Sequence, residues 1–356
     1  MQRRLTPQCS PKAAAAAKRA ASRASRVPGQ PEKGLATRGG RSFLEQRAVT
    51  PRTKQYYHPL LTKFWAFSKE LGEVTSDELL DLHLTDFADH SYFEGQPASM
   101  GQKLRAAIAD WHPRFSKHGR ASLPRFGRAL QGWSRLAPGR SRAPLPWLHL
   151  VLVCMVLLTG RLREEALFML TVFACYFRPG EALKILCKDV LAPTPTCPQV
   201  AIQLHPEERG LPSKTGVFDD GVAVDPQYAP QLGKLLLQHA AGRDPDMPLF
   251  NLKYTHLRAT LQDAFEILNL SDPSLYRLRH GGASFDRAMR FRSLPEVKKR
   301  GRWVSDASLR RYEKAVRVQK VEAEASPEFL SFAASVAPDL CKFIRGSSSL
   351  PRCPWR

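Results

Sequence analysis

The sequence predicts a mainly α-helical protein with a small β-sheet, divided into two domains, and three observations support this fold class. Apolar residues recur at helical spacing from 42 to 138 and again after 146. Two short stretches of strand composition, 199–204 (QVAIQL) and 221–225 (GVAVD), interrupt the second helical region. Between the two regions lies a run rich in Pro, Gly and Arg, 138–146 (PGRSRAPLP), which is typical of a domain linker.

Composition then sets the domain boundaries. Residues 1–42 carry ten Lys or Arg against one acid, Glu32. They hold too few apolar side chains to offset the entropy of ordering, so we expect a disordered basic tail. Such a tail suits a DNA-tracking arm, a nuclear localisation signal or an organelle transit peptide equally well. We expect the other segments to be a helical domain of four or five helices, a linker, a larger domain with the sheet, and a C-terminal tail: 43–138, 139–146, 147–319 and 320–356.

The charge of the chain narrows the classes of partner. There are 54 Lys and Arg against 33 Asp and Glu, a net charge of +21, and an excess of this size attracts polyanions. Nucleic acid is the first partner class that this charge indicates and an anionic membrane the second, with a basic solvated surface as the plain alternative. The longest apolar run, 147–159, is too short to cross a bilayer and is typical of a buried helix. With nucleic acid as the first partner class, we expect no membrane partner.

The cysteine pattern does not indicate a zinc site. Seven cysteines form no Cys-x-x-Cys pair. Several of them lie in apolar runs, which is typical of reduced core residues in a reducing compartment. We therefore expect chemistry that amino-acid side chains perform without a metal ion.

Polar residues stand at predicted element boundaries in the second domain. Pro179 suits the first position of a helix that runs to Leu186, which places Arg178 at the junction with the preceding helix. The connection between the two predicted strands carries Lys214 in the run PSKTG. The other helices expected in this domain cover 146–159, 163–177, 226–240, 254–268, 274–291, 293–301 and 306–316.

The stretch from Tyr276 to Tyr312 has the composition expected for work on a phosphodiester. It holds eleven Lys or Arg against three Asp or Glu and ends in the run Arg310-Arg311-Tyr312. Cleavage of a phosphodiester without a metal needs a nucleophile, cations that neutralise the nonbridging oxygens, and an acid for the leaving alkoxide. Candidates for these tasks follow along the chain in the order Arg178, Lys214, Arg279 and Tyr312.

These residues and their spacing resemble the tyrosine recombinase family, also called phage integrases, and especially the recombinases of some eukaryotic mobile elements. In that family a first arginine is followed three residues later by an acid, which matches Arg178 and Glu181 in FRPGEAL. The family's β-hairpin lysine matches Lys214. Each motif alone is weak evidence, whereas the ordered set is specific.

The remaining family motifs match the basic stretch before Tyr312. The motif His-x-x-Arg-His is present as the run from Tyr276 through Arg279 to His280, and a His or Trp nine residues before the nucleophile matches Trp303. The nucleophile itself matches Tyr312. One residue departs from the pattern, because Tyr276 stands where the family usually has His; a phenol can donate a hydrogen bond to phosphate but is a poorer proton shuttle near neutral pH.

The resemblance implies both the fold and the activity. Residues 146–317 are similar to the family's α+β catalytic domain, and residues 43–138 to its all-helical core-binding (SAM-like) domain. The implied activity is site-specific cutting and rejoining of double-stranded DNA through a 3′-phosphotyrosyl intermediate, without metal, ATP or other cofactor. The implied assembly is a homotetramer on two DNA duplexes, and the implied location is the nucleus if the host is eukaryotic.

The resemblance also assigns a role to each site residue. Tyr312 would attack the phosphate, Arg178 and Arg279 would hold its nonbridging oxygens, and Lys214 would protonate the leaving 5′-oxygen. Tyr276 and Trp303 would position the phosphate and the phenol. Glu181 and His280 would support the site.

Each of these residues also has a plain structural explanation. Arg178 would cap the preceding helix, Lys214 would be a solvated loop residue, and His280 and Trp303 would be core residues. Tyr312 would pack on an amphipathic helix. At the level of the whole protein, the alternatives are a catalytically silent, domesticated DNA-binding protein and a type IB topoisomerase, which shares the chemistry but relaxes supercoils.

Overall fold

The computed structural model describes residues 41–139, 143–210, 218–306, 309 and 315–355. Lys214, Tyr312 and the basic segment before residue 41 lie outside this part of the chain. Where it is described, the protein is mostly helical with one small β-sheet, which confirms the fold class predicted from the sequence. The chain divides into two compact units, Met1–Arg140 and Ser141–Arg356.

The described part of the first unit contains five α-helices. They are α1 Phe43–Arg47, α2 Pro51–Leu71, α3 Asp77–Phe93, α4 Ala98–Trp111 and α5 Pro124–Leu136. Ser42, Thr50 and Ser76 open the first three helices, since each side-chain oxygen accepts a backbone N–H of the first turn.

Helices α2 to α5 share one apolar core. Its most enclosed members include Phe64, Leu84 and Phe126. Asp81 of α3 is buried beside them and accepts the backbone N–H groups of Arg125 and Phe126, each at 2.9 Å. The N-cap residue of α5 is a leucine without a side-chain oxygen. This carboxylate from another helix therefore accepts first-turn N–H groups of α5 that have no acceptor within their own helix.

The described part of the second unit contains ten α-helices and a three-stranded antiparallel sheet. The helices are α6 Trp147–Thr159, α7 Arg163–Cys175, α8 Pro179–Ala182, α9 Leu232–Ala240, α10 Tyr254–Ile267, α11 Tyr276–Ala288, α12 Leu294–Gly301, α13 Ala315–Glu322, α14 Pro327–Val336 and α15 Leu340–Arg345. The strands, in the order β1-β2-β3, are β1 Val190–Leu191, β2 Ala201–Leu204 and β3 Asp220–Ala223. Ile202 of the central strand pairs with Val190 on one side and Val222 on the other.

The core of this unit is built around α6 and α7. Residues 150–155 of α6 have no exposed surface. A helix that is apolar on every side must be covered on every side, and α7, α10, α11 and α14 all pack against it. Among the helices that the structure describes, not one combines the length and the apolar character needed to cross a membrane.

The helix after Arg178 is shorter than the sequence predicts. It ends at Ala182 instead of Leu186, because Leu186 is extended and forms a β-bridge with Pro248. The Leu186 N–H donates to the Asp189 side chain at 2.8 Å, which holds the chain in this extended path. The pairing partner lies some sixty residues away in sequence, so a local pattern could not reveal it.

Two other regions differ from the predicted boundaries. Helix α9 begins at Leu232 and not at 226, since Pro230 disfavours the helical conformation of the residue before it. The sequence also predicts a tail over 320–356, whereas α14 and α15 form there and bury Leu340 and Phe343 in the main core. Helices of 10 and 6 residues give apolar patterns too short to recognise.

Candidate active site

Arg178 lies where α7 gives way to α8. Cys175 is the last residue of α7, and Tyr176 turns the chain by adopting the left-handed conformation, with φ of 52°. Arg178 is then the N-cap residue of α8, with Pro179 in its first turn, as the sequence predicts. The Arg178 side chain keeps 21% of its surface exposed, so a ligand can reach it.

Glu181 and Tyr276 hold the Arg178 guanidinium in place. Glu181 Oε1 accepts Nη1 of Arg178, and Oε2 accepts the Arg178 backbone N–H at 3.1 Å. Tyr276 forms a side-chain hydrogen bond with the same guanidinium. Burial works to lower the pKa of Arg178, but Glu181 and Tyr276 outweigh it and hold that pKa above its ordinary value.

Arg279 lies on α11 and is almost fully enclosed, with 1% of its surface exposed. Its Nη1 donates to the carbonyl of Tyr176 and its Nη2 to the carbonyl of Gly301. Its Nε has no hydrogen-bond partner in the described part of the chain. Burial and two neighbouring guanidinium groups lower the pKa of Arg279 to about 10, so it remains a cation at neutral pH. Its Nε–H is therefore a buried donor that the described residues leave unsatisfied.

Two glycines allow α11 to reach the end of α7. A Cβ added at Gly282 would lie 1.9 Å from the Phe173 carbonyl oxygen, and one added at Gly281 would lie 2.2 Å from the Leu145 carbonyl oxygen. Only glycine permits this backbone approach. The result is that Arg279, two residues earlier on the helix, lies within reach of the Tyr176 carbonyl.

Trp303 covers Arg279 from the other side. The chain folds back sharply after α12, since a Cβ at Gly301 would lie 1.8 Å from the Trp303 ring. The guanidinium carbon of Arg279 lies 4.6 Å from the centroid of this ring, a cation–π contact. Trp303 thereby fixes the plane of the guanidinium.

Tyr276 and His280 form the edge of the site on the first turn of α11. Their ring centroids lie 5.2 Å apart. Tyr276 is partly buried and contacts Arg178, whereas His280 is buried. Tyr276 therefore stands next to Arg178, and its hydroxyl forms a hydrogen bond with that guanidinium.

Arg302 is a member of the site that the sequence motifs do not identify. Its Nη2 donates to Glu181 Oε2 at 2.7 Å, and its Nε lies 3.9 Å from Asp220 Oδ2. Its side chain is only 9% exposed. Burial works to raise the pKa of Glu181, but Arg302 and then Arg178 bring that pKa below its ordinary value. In the sequence, Arg302 lies in the run RGRW, and nothing in that run distinguishes a buried arginine from the many others in the chain.

A second charged network holds the backbone next to the site. Arg300 donates from Nη1 to Asp225 Oδ1 at 2.8 Å and from Nη2 to the Ala174 carbonyl at 2.8 Å. Arg292 joins it, since its Nη2 lies 2.6 Å from the same Asp225 oxygen and its Nε 3.3 Å from Asp286 Oδ2.

The hydroxyl of Tyr176 donates to Asp286, so this network ends at the residue whose carbonyl binds Arg279. Burial raises the pKa of Asp286 above its ordinary value, and the Tyr176 hydrogen bond with the charges of Arg292 and Arg300 offsets only part of that effect. The network thus connects α7, α11, α12 and the segment that follows β3 around the backbone that carries Arg178.

Four of the six predicted catalytic residues lie together in this site, with both predicted supporting residues. The four are Arg178, Tyr276, Arg279 and Trp303; the supporting pair is Glu181 and His280. Lys214 and Tyr312 lie outside the described residues. Leu309, which precedes Tyr312 by three residues, is buried in an apolar cluster against which Trp303 packs.

Solved structures with a similar fold include two of lambda integrase. A lambda integrase fragment, residues 75–356, in a dimer bound to a COC′ core site, aligns with a TM-score of 0.51 and 14% identity over 76% of this chain and 92% of that one. A second lambda integrase dimer bound to a COC′ core site aligns with a TM-score of 0.50 and 13% identity over 77% and 74% of the two chains. The sequence matches no protein-family model and no curated protein. The chain thus has the fold of the tyrosine recombinases.

Proposed function

We propose that this protein is a site-specific DNA recombinase that cuts and rejoins DNA through a 3′-phosphotyrosyl intermediate. One observation carries the proposal. Arg178 and Arg279 are about a hundred residues apart in sequence, yet their guanidinium groups share one partly enclosed site with Arg302. Glu181 is the carboxylate bonded to two of the three. The surplus positive charge suits a phosphodiester, whose charge rises from −1 towards −2 as a nucleophile adds.

In the proposed reaction the Tyr312 phenol oxygen attacks the scissile phosphorus. A bond forms between the Tyr312 oxygen and phosphorus, and the bond from phosphorus to the 5′-oxygen breaks. The 5′-oxygen takes a proton from Lys214, and the phenol gives its own proton to water. Arg178 and Arg279 bind the nonbridging oxygens, and Tyr276 adds a hydrogen bond. Attack by another 5′-hydroxyl reverses these steps and joins a new strand. The energy of the broken bond is kept in the phosphotyrosyl link.

The burial of Arg279 supports this assignment. Its guanidinium is held by two carbonyls and the Trp303 ring before any substrate binds, so it needs no reorganisation when charge develops on the phosphate. In an enclosed site the attraction between a cation and a phosphate is also stronger than in water. A surface arginine would supply neither advantage.

The proposed partner is double-stranded DNA, bound by a homotetramer of this chain. The net charge of +21 supports a polyanionic partner, and the lambda integrase structures with the same fold are bound to a core site. We also propose an origin in a mobile element and action in the nucleus of a eukaryotic host, on the resemblance of the sequence motifs.

The proposal is tested by trapping the covalent intermediate. Nicked suicide duplexes, drawn from the sequences that flank the gene, are incubated with the protein, and adducts that survive denaturation are counted. We expect wild type to form a protein–DNA adduct, Tyr312→Phe to form none, and Tyr254→Phe, which alters an exposed tyrosine of α10, to match wild type.

Three other outcomes would contradict the proposal in different ways. An adduct that persists in Tyr312→Phe would move the nucleophile to another residue. Sequence-specific binding without any adduct would indicate a silent DNA-binding protein. Relaxation of supercoiled plasmid without strand exchange would indicate a topoisomerase.

A further inference from the structure

Arg302 occupies an unusual position for a long charged side chain. It follows the last residue of α12 in the left-handed conformation, with φ of 55° and ψ of 42°, and its N–H donates to the carbonyls of the last helical turn. This conformation suits glycine or asparagine, whereas the residue here is an arginine. The conformation directs the side chain inward, where it is 9% exposed.

All three nitrogen atoms of the Arg302 guanidinium face protein acceptors. Nη2 donates to Glu181 Oε2 at 2.7 Å, Nη1 approaches the Arg300 carbonyl at 3.4 Å, and Nε lies 3.9 Å from Asp220 Oδ2. Its carbon also lies 5.6 Å from the ring centroid of Phe177. Arg279, by contrast, keeps its Nε without an acceptor in the described residues. Arg302 is therefore placed to hold protein groups.

The group that Arg302 holds is the one that orients Arg178. Glu181 divides its two oxygens: Oε1 accepts the Arg178 guanidinium, while Oε2 accepts the Arg178 N–H and Arg302 Nη2. Without Arg302, Oε2 would keep only the Arg178 backbone N–H, so the Glu181 carboxylate would be held less firmly beside the Arg178 guanidinium. Arg302 thus controls how Arg178 is presented.

Arg302 also connects three separate segments of the chain. It adjoins Trp303 in sequence, bonds Glu181 on α8, and lies close to Asp220, the first residue of β3. Strand β3 is the strand that follows the connection containing Lys214. The contacts of one side chain therefore link the segments that carry Arg178, Trp303 and the predicted lysine.

We propose that Arg302 is a positioning residue for the phosphate site: by holding Glu181 Oε2 it fixes the Arg178 guanidinium in the orientation that binds the scissile phosphate. That the bound phosphate is the scissile phosphate of DNA rests on the proposed function. That Arg302 positions Arg178 through Glu181 does not depend on it. It assigns to Arg302 a role that acts through Glu181 and not through contact with DNA.

Arg290 offers a matched control. It too is an arginine in the left-handed conformation after a helix, with φ of 57°, and it is exposed. Arg290→Met and Arg302→Met therefore remove the same charge and place the same side chain in the same backbone conformation. They differ in whether Glu181 loses a hydrogen bond.

The first measurement needs no DNA. Thermal unfolding is followed while inorganic phosphate is titrated into wild type, Arg178→Met, Arg302→Met and Arg290→Met. We expect phosphate to raise the melting temperature of wild type and Arg290→Met by the same amount. It should raise that of Arg178→Met and Arg302→Met by a smaller amount, similar for these two variants. Equal stabilisation of Arg302→Met and wild type would overturn the proposal, whether or not any adduct forms. If Arg302→Met does not fold, Arg302→Lys replaces it, since lysine keeps the charge but not the planar geometry.

The second measurement separates positioning from direct contact. Rates of adduct formation are compared for Arg302→Met, Glu181→Gln and the double variant. A misplacement of Arg178 is expected to slow Arg302→Met by about 100-fold, and the double variant should be no slower than the slower single variant, because both changes break one linkage. Multiplied losses would mean that Arg302 touches the phosphate itself and would overturn the proposal. Absence of any adduct in wild type would instead refute the proposed function, and the phosphate titration would still decide the role of Arg302.

Discussion

Glu181 is the residue on which the electrostatics of the site depend. It is 8% exposed and lies between Arg178 and Arg302, so its negative charge offsets part of the repulsion between two guanidinium groups. A buried carboxylate without such partners would be strongly unfavourable. The acid three positions after Arg178 is thus needed to keep two arginines close together in the folded protein.

This role makes the stability of the protein sensitive to acid. The pKa of Glu181 in the folded protein lies below its ordinary value of 4.5. Its ionised form therefore contributes stability that is fully present above the unfolded-state pKa and is lost as the pH falls through the folded-state pKa. We expect the free energy of unfolding of wild type to fall more steeply below pH 4.5 than that of Glu181→Gln.

Urea unfolding at a series of pH values measures this difference. At neutral pH we expect Glu181→Gln to be less stable than wild type by about 1.5–3 kcal/mol, the usual effect of a hydrogen bond to a charged group. Glu328→Gln, which alters an exposed acid of α14, is the control and should follow wild type. Parallel pH profiles for wild type and Glu181→Gln would contradict the prediction.

At the scale of elements, the site is made by the contact between α7 and α11. The turn at Tyr176 ends α7 with its carbonyl directed at Arg279, and the Arg300–Asp225–Arg292 network holds the same turn from the opposite side. Both elements must approach to backbone contact for this arrangement. The pair of glycines after His280 is what allows it.

Gly282→Ala is expected to disrupt the contact between these helices. The added methyl group would lie 1.9 Å from the Phe173 carbonyl oxygen, so α11 must shift away from α7. Overpacking of this kind typically costs about 1–3 kcal/mol or more. The shift would also carry Arg279 away from the Tyr176 carbonyl, and adduct formation should fall with the stability.

Gly180→Ala is the control within the same unit. No atom lies within 4 Å of the Cβ that this change would add, so its stability should stay within about 1 kcal/mol of wild type. Thermal and urea unfolding of both variants provide the measurement. A Gly282→Ala variant as stable as Gly180→Ala would show that the close approach of α7 and α11 is not required.

At the scale of the whole molecule, charge is the dominant property. The excess of +21 is spread over both units, and ten Lys or Arg lie in residues 1–42 alone. Lysine and arginine that neutralise DNA phosphates release counterions, so the logarithm of the binding constant falls linearly with the logarithm of the salt concentration. We expect such a decline for binding to any duplex.

Removal of residues 1–42 tests how much of this binding the basic tail supplies. We expect the truncated protein to bind random duplex more weakly and to show a shallower salt dependence, since fewer phosphates are neutralised. Fluorescence anisotropy over a range of KCl concentrations measures the salt dependence of DNA binding for the full-length and the truncated protein. Adduct formation by the truncated protein checks that its site is intact. Identical slopes would mean that the tail makes no phosphate contacts.

The sequence by itself predicted the fold class and named most of the residues that the structure brings together in the candidate site. Helical periodicity, one strand pair and the ordered motifs around Arg178 and Arg279 are local or short-range signals, so they could be read without a structure. The early end of α8, the helices α14 and α15, and the inward direction of Arg302 could not. Each depends on a partner distant in sequence: Pro248 pairs with Leu186, the main core covers Phe343, and Glu181 accepts Arg302. Only the tertiary structure shows which of the many arginines belongs to the site, because this depends on the groups that surround each side chain and these come from distant parts of the chain.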